Sequence, residues 1–156
     1  MSQKSNGIVR WLPALAWMAI IFIASSDGAS FQHSSRFLGP FLHWLFPAMS
    51  DQTIHTLVVA FRKCCHMSEY ALMALLFYCA LNRGSNGPET RLRRAGLAFV
   101  LAVAYACTDE WHQSFVPSRE ASVVDVMIDA LGAALGLAAW IAIRRGNTQQ
   151  IKAAQP

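Results

Sequence analysis

Five of the nine acidic residues in this chain, Glu69, Asp109, Glu110, Asp125 and Asp129, stand at the ends of apolar runs beside histidine, tyrosine, glutamine and lysine. They fall in two stretches, KCCHMSEY at residues 63–70 and TDEWHQSFVPSREASVVDVMID at residues 108–129. Side chains three or four residues apart share a helix face. His66 therefore faces with Glu69 and Tyr70, while Tyr105, Asp109 and Gln113 form one row and Asp125 and Asp129 another. A carboxylate beside an imidazole is equipment for general acid–base work. We expect His66 or Glu69 as a base and Asp109 or Asp125 as an acid or ligand group. Lys63, Tyr70, Glu110, Gln113, Arg119 and Asp129 are the expected ligand-binding groups. Imidazole and carboxylate also suit a divalent ion. No spacing among His66, Glu69, Asp109 and Asp125 is diagnostic of one, and neither a metal nor a cofactor is assigned.

Each of these residues also has a simpler role. Ser122 to Asp125 is the S-x-x-D of a helix capping box, Asp129 could pair with Arg119 or Lys63, and Glu110 could be a solvated helix end. His66 could be a packed polar residue bonded to Tyr70, and His112 an interfacial histidine. Trp111 and Phe115 read as membrane-interface anchors rather than substrate platforms. Asp109 is harder to explain away, because a carboxylate near a helix C-terminus is opposed by the helix dipole.

The elements that position these residues are apolar. The 156-residue chain is 54% hydrophobic and 14% charged, against about 25% charged for soluble domains. The expectation is an all-α membrane protein of one domain over residues 1–156, a four-transmembrane-helix up-down bundle with spans at about residues 9–25, 63–82, 95–113 and 122–143. The run FLGPFLHWLF at residues 37–46 is too short to cross about 30 Å of hydrocarbon. It reads as an extra interfacial or re-entrant helix between helices 1 and 2, or as an ordinary short buried helix. Residues 95–108 give only about 21 Å at 1.5 Å per residue, so the third helix must continue through Asp109 toward Gln113. The first run also has the length of a secretory signal, with small residues at 24–30 that could be a cleavage site. Cys79 and Cys107, inside apolar runs, read as small buried residues, and a vicinal Cys64–Cys65 disulfide would be strained. Asp129, Gly132 and Gly136 share a face where another helix should approach closely.

Lys and Arg count sets the orientation, because cytoplasmic flanks hold the excess. Nine of them (Lys4, Arg10, Arg83, Arg91, Arg93, Arg94, Arg144, Arg145, Lys152) fall on one side and four (Arg36, Arg62, Lys63, Arg119) on the other. Both termini are then cytoplasmic. The net charge of +4 follows topology, so no nucleic-acid partner is implied. There is no Gly-rich phosphate loop, nucleotide fingerprint or paired CxxC motif, which argues against a soluble nucleotide-using enzyme. The polar residues gather at three helix ends on the outer side.

At these residues the chain resembles the VanZ-like family of bacterial membrane proteins. The matching pattern is K-x-x-H-x-x-x-Y at Lys63, His66 and Tyr70, then D-E-x-x-Q at Asp109, Glu110 and Gln113. It continues as R-x-x-S-x-x-D at Arg119, Ser122 and Asp125 and closes on Gly132 and Gly136; the Ser25-Ser26 step after the first helix also fits. Asp129 departs from it, standing where asparagine is expected in many relatives. The resemblance implies a bacterial cytoplasmic-membrane protein whose namesake is associated with resistance to the glycopeptide teicoplanin. A phosphotransbutyrylase activity, attached to some members, finds no coenzyme A or acyl-phosphate site here. The leading expectation is a cell-envelope protein that binds or modifies a membrane lipid, lipid-linked or surface ligand at the outer leaflet. The alternatives are a proton- or cation-coupled transporter, disfavoured because the acids cluster at one face, and a scaffolding bundle without catalysis.

Overall fold

A computed structural model describes residues 7–25, 31–82, 87–116 and 122–153, which form five α-helices with no strand among the described residues. They are α1 (Leu12–Ser25), α2 (Phe31–Leu45), α3 (Asp51–Ala80), α4 (Pro88–Gln113) and α5 (Val123–Ala153).

Two helices begin earlier than their apolar runs. Helix α3 starts at Asp51 rather than near residue 63. Ser50 caps it, its hydroxyl accepting the Thr53 N–H at 3.3 Å, and Asp51 lies in the first turn, where a carboxylate meets the positive end of the dipole. Ile54 and Val58 are buried in this early part. Helix α4 starts at Pro88 rather than near residue 95, with proline in the first turn, where its missing N–H costs nothing. Arg93 pairs with Glu89 one turn earlier at 2.7 Å. At its other end α4 runs to Gln113.

Helices α1, α3, α4 and α5 alternate in direction. Trp11 packs on Phe77 (ring centroids 6.1 Å apart) and the Trp17 indole N–H donates to the Glu69 carbonyl at 3.1 Å, so α1 is antiparallel to α3. Tyr70 meets Asp109 while Tyr78 meets Arg94, so α3 is antiparallel to α4. Lys63 meets Asp125 and Ala71 lies against Gly136, so α5 runs alongside α3 in the same direction. Helix α2 packs on α3, with His43 Nε2 2.8 Å from Asp51 Oδ1 at the junction. Phe37, Phe41 and Trp44 of α2 are exposed.

The core is made of small residues and the outside of large ones. Ala14, Ala74, Ala95, Ala98, Ala102, Ala106 and Ala133 are buried around Tyr70, Met73 and Phe77. Leu12, Leu15, Ile20 and Ile23 of α1, Leu97 and Val100 of α4, and Met127, Leu131 and Leu135 of α5 face outward. Close backbone approach through small residues is how helices associate where apolar burial offers no drive. It is most pronounced at Gly132, where an added Cβ would lie 2.2 Å from the Met67 carbonyl oxygen.

Among the described residues, one helix, over Val123–Gly146, is by itself long and apolar enough to cross a membrane. The four spans expected from the sequence meet that criterion only there. Helix α1 has 14 residues, and α3 and α4 carry the charged groups of the polar layer inside otherwise apolar stretches. The cysteines differ from expectation too. Cys79 and Cys107 are exposed rather than buried, and all four thiols are free. An apolar run shows that a residue avoids water without showing whether it faces a partner helix.

Candidate functional site

The end of α1, the middle of α3, the end of α4 and the start of α5 meet in one polar layer. Its centre is Asp109, 4% exposed. Three donors converge on its Oδ2: the Ser25 hydroxyl at 3.0 Å, the Gln113 amide at 3.0 Å and the Tyr70 hydroxyl at 3.4 Å. Gln113 Nε2 also reaches Ser25 Oγ at 3.4 Å. These donors offset the adverse dipole at the C-terminus of α4, since hydrogen bonds to a charged group contribute about 1.5–3 kcal/mol each. Asp109 Oδ1, equally buried, has no hydrogen-bond partner among the described residues.

A second group forms around His66. Its Nδ1 lies 3.8 Å from Asp129 Oδ1 and 4.0 Å from Glu69 Oε2. Asp129 is only 3% exposed. The carboxylates of Asp109, Asp125, Glu110 and Glu69 are all close enough to act electrostatically on it, so the five acids singled out from sequence do share one region. Tyr70, expected as a partner of His66, directs its hydroxyl to Asp109 instead.

Lys63 and Asp125 form a separate pair toward the rim. Lys63 Nζ lies 3.3 Å from Asp125 Oδ1 and Arg62 Nη2 3.7 Å from Oδ2. The capping box proposed for Ser122 and Asp125 is half formed. The Ser122 hydroxyl accepts the Val124 N–H at 3.2 Å, but the Ser122 N–H donates to the Glu110 carboxylate of α4. Glu110 thereby ties α4 to the start of α5 and leaves Asp125 to the two cations. Asp129 does not pair with Lys63, and its other expected partner, Arg119, lies with Pro117 outside the described residues. The four residues considered for a metal are dispersed among these groups. Among the described residues, no three His, Cys, Asp or Glu side chains are arranged to hold an ion.

A cavity of about 410 Å³ opens beside the Asp109 centre, lined by Phe22, Tyr105, Thr108, Asp109, Trp111, His112 and Phe115. Its walls are chiefly aromatic. The Phe22 and His112 rings stack at 4.5 Å, and Trp111 meets Phe115 edge-on at 5.6 Å. His112 Nε2 is buried without a hydrogen-bond partner among the described residues. Tyr105 is held by its hydroxyl, which donates to the Met18 carbonyl at 2.6 Å. Trp111 and Phe115 are each 69% exposed, as interface anchors should be, yet they also wall this cavity.

Sequence reasoning missed Phe22, Thr108 and Arg62 as site residues and used Ser25 only as part of a pattern. Tyr105 was visible in the row of Asp109 and Gln113, one turn before the carboxylate. Ser25, 84 positions from Asp109 in sequence, carried no signal beyond being a polar residue at the end of an apolar helix.

Neither a curated protein nor a solved structure matches the chain. The family match covers residues 10–144, a span containing Ser25, the whole of α3 and α4, and Asp125, Asp129, Gly132 and Gly136 of α5. With a family model matching most of its length, the chain belongs to the VanZ/LLP1 family.

Proposed function

We propose that this is a multi-pass protein of the bacterial cytoplasmic membrane, with both termini inside, that binds a lipid-linked or surface ligand of the cell envelope at the outer leaflet. The observation that carries the reading is the aromatic cavity beside a buried, half-satisfied carboxylate. Ligand pockets are largely apolar with a few placed polar groups. Here aromatic walls suit an apolar chain, and Asp109, as an acceptor-only group, suits a head that offers hydroxyl, amine or amide donors. A bare phosphate would be repelled by five nearby acids. Asp109 and His112 are the proposed contacts. Lys63, Arg62 and Asp125 form the rim, and Tyr70, Gln113 and Ser25 orient Asp109. If the site also performs chemistry, His66 flanked by Glu69 and Asp129 is the group placed to move a proton.

Membrane embedding is supported by the outward leucines, isoleucines and phenylalanines, by the alanine core, and by the spacing of the polar ends. Fifteen residues of α4 separate Arg94 from Asp109, about 22 Å of helix, so with Arg94 at one boundary of a hydrocarbon slab about 30 Å thick the acidic layer would lie about 8 Å inside the other, within the outer leaflet. Arg10, Arg91, Arg93, Arg94, Arg144 and Arg145 belong to the opposite end, in keeping with a cytoplasmic location. Resistance to teicoplanin-type glycopeptides is the proposed biological setting.

The test has two readouts. The full chain and its Asp109→Asn and Phe22→Ala variants are expressed in a glycopeptide-susceptible bacterium, and the inhibitory concentration of teicoplanin is measured. The same proteins are purified from membranes and their retained lipids identified by mass spectrometry. The reading expects a wild-type-specific shift in sensitivity and a retained polyprenyl-type or other donor-bearing lipid, both lost in the variants. Unchanged sensitivity together with the same retained lipids in all three proteins would overturn it.

A further inference from the structure

At the end of the bundle opposite the acidic layer lies a second cavity, of about 320 Å³, lined by Tyr78, Cys79, Asn82, Arg91, Arg94, Trp140, Ile141 and Arg144. Arg91, Arg94 and Arg144 line it, and among the described residues no carboxylate does. We propose that this pocket binds a phosphate-bearing anion, either the headgroup of an anionic phospholipid of the inner leaflet or a small soluble phosphate.

The contrast between two adjacent arginines carries the argument. Arg93 is what an ordinary basic flank of a membrane helix looks like: its side chain is 77% exposed and paired with Glu89 at 2.7 Å. Arg94, the next residue, is 5% exposed, with its guanidinium carbon 5.3 Å from the Tyr78 ring centroid. A positive-inside bias asks only for charge near the surface, and it does not explain burying one guanidinium beside two others. Arg144 stacks over Trp140 at 4.7 Å, so two of the three are oriented by aromatic faces and their planar forks are already arranged. Arg10 adds positive charge to the same end, donating to the Asn82 carbonyl at 2.5 Å. Guanidinium forks match phosphate oxygens in bidentate geometry, and basic pockets between helices on the cytoplasmic side are suited to anionic headgroups. Ile141 and the Trp140 ring supply an apolar wall beside the cations, as a lipid entering from the bilayer needs.

This inference concerns a different site from the aromatic cavity and does not depend on what binds there; only its lipid arm uses the membrane reading. The full chain is purified in a neutral detergent and titrated with sodium phosphate against sodium chloride at matched ionic strength, following tryptophan emission, with Trp140→Phe identifying the signal. In parallel it is placed in phosphatidylcholine nanodiscs with and without phosphatidylglycerol, and lipid retained after delipidation is measured. A phosphate response identifies a soluble phosphate, and retained phosphatidylglycerol without that response identifies the lipid headgroup. In either case the Arg91→Gln/Arg144→Gln double variant, which leaves buried Arg94 in place, should weaken binding about tenfold or more. Arg93→Gln should change it less than about twofold by the weakness of exposed pairs. The proposal is overturned by no response in either arm, by a double variant that binds like the wild type, or by an equal loss in Arg93→Gln, which would reduce the effect to surface charge.

Discussion

Replacing Gly132 by alanine tests the packing on which the acidic layer depends. The added Cβ would stand 2.2 Å from the Met67 carbonyl oxygen and 2.8 Å from its carbonyl carbon and Cα. These are backbone atoms of α3, so no side chain can swing aside. Real Cβ atoms do not come within 3.0 Å of such neighbours, which requires α5 to part from α3 by about 0.8 Å at this point. Overpacking of that kind costs about 1–3 kcal/mol. A gap of 0.5–1 Å also forfeits a quarter to a half of each dispersion contact across it. Alanine returns about 1 kcal/mol of helix propensity over glycine. The net expectation is a loss of about 2 kcal/mol, with the Lys63–Asp125 and His66–Asp129 separations widening together. Gly136→Ala should cost less, because its closest neighbour is the Ala71 Cβ at 2.9 Å with backbone atoms at 3.1 Å. Gly96→Ala on α4, where nothing lies within 4 Å, should be neutral or stabilising by up to about 1 kcal/mol. The assay is reversible unfolding in mixed micelles by increasing dodecyl sulfate fraction, followed by circular dichroism. Gly132→Ala as stable as Gly96→Ala would refute the close approach of α5 to α3.

Other substitutions separate structure from ligand binding within the layer. Asp109→Ala removes the acceptor shared by Ser25, Gln113 and Tyr70 and should cost about 3 kcal/mol in the same assay, whereas Asp109→Asn keeps an acceptor oxygen and should unfold within about 1 kcal/mol of the wild type. Asp125→Asn breaks the contacts to Lys63 and Arg62, both partly exposed, and should cost about 0.5–1 kcal/mol, shrinking as salt is raised; a salt-independent loss would count against an ion-pair origin. In intact cells, a membrane-impermeant maleimide should label a variant retaining only Cys64, at the acidic end, and should label one retaining only Cys79 after permeabilisation alone. The reverse pattern would invert the proposed topology.

Much of the arrangement was legible because it follows local rules. The glycine face of α5 and the row of Tyr105, Asp109 and Gln113 repeat at helical spacing, and helix direction alternates along α1, α3, α4 and α5. The convergence of the acids follows from those two facts together. What was not legible had a physical reason in each case. The early start of α3 is set by a serine cap and a first-turn aspartate, and charged residues such as Arg62 and Lys63 interrupt the apolar run that marks the rest of the helix. Cys79 and Cys107 sit in local stretches of α3 and α4 that have no polar face, where periodicity no longer separates inside from outside. Asp125 matched a capping motif, but Glu110 on another helix took the Ser122 N–H, a competition that local sequence cannot display.

The two ends of the bundle use burial in opposite senses. At one end Arg94 lies under Tyr78, and two further arginines gather round a cavity that no carboxylate lines among the described residues. At the other, Asp109 and Asp129 are buried among further acids. The alanine and glycine core between them lets the four helices approach closely, which is what brings side chains as far apart in sequence as Ser25 and Asp109 within hydrogen-bond reach. A charge retained at the end of α4 against the helix dipole must be compensated, and three donors on one oxygen of Asp109 do that. If those bonds were its whole purpose, an uncharged acceptor would serve equally and would avoid the cost of burying the second oxygen. That Oδ1 belongs to a carboxylate which also lines an aromatic cavity is the reason a ligand role for Asp109 is favoured over a purely structural one, and it is why Asp109→Asn, expected to fold, is the decisive variant.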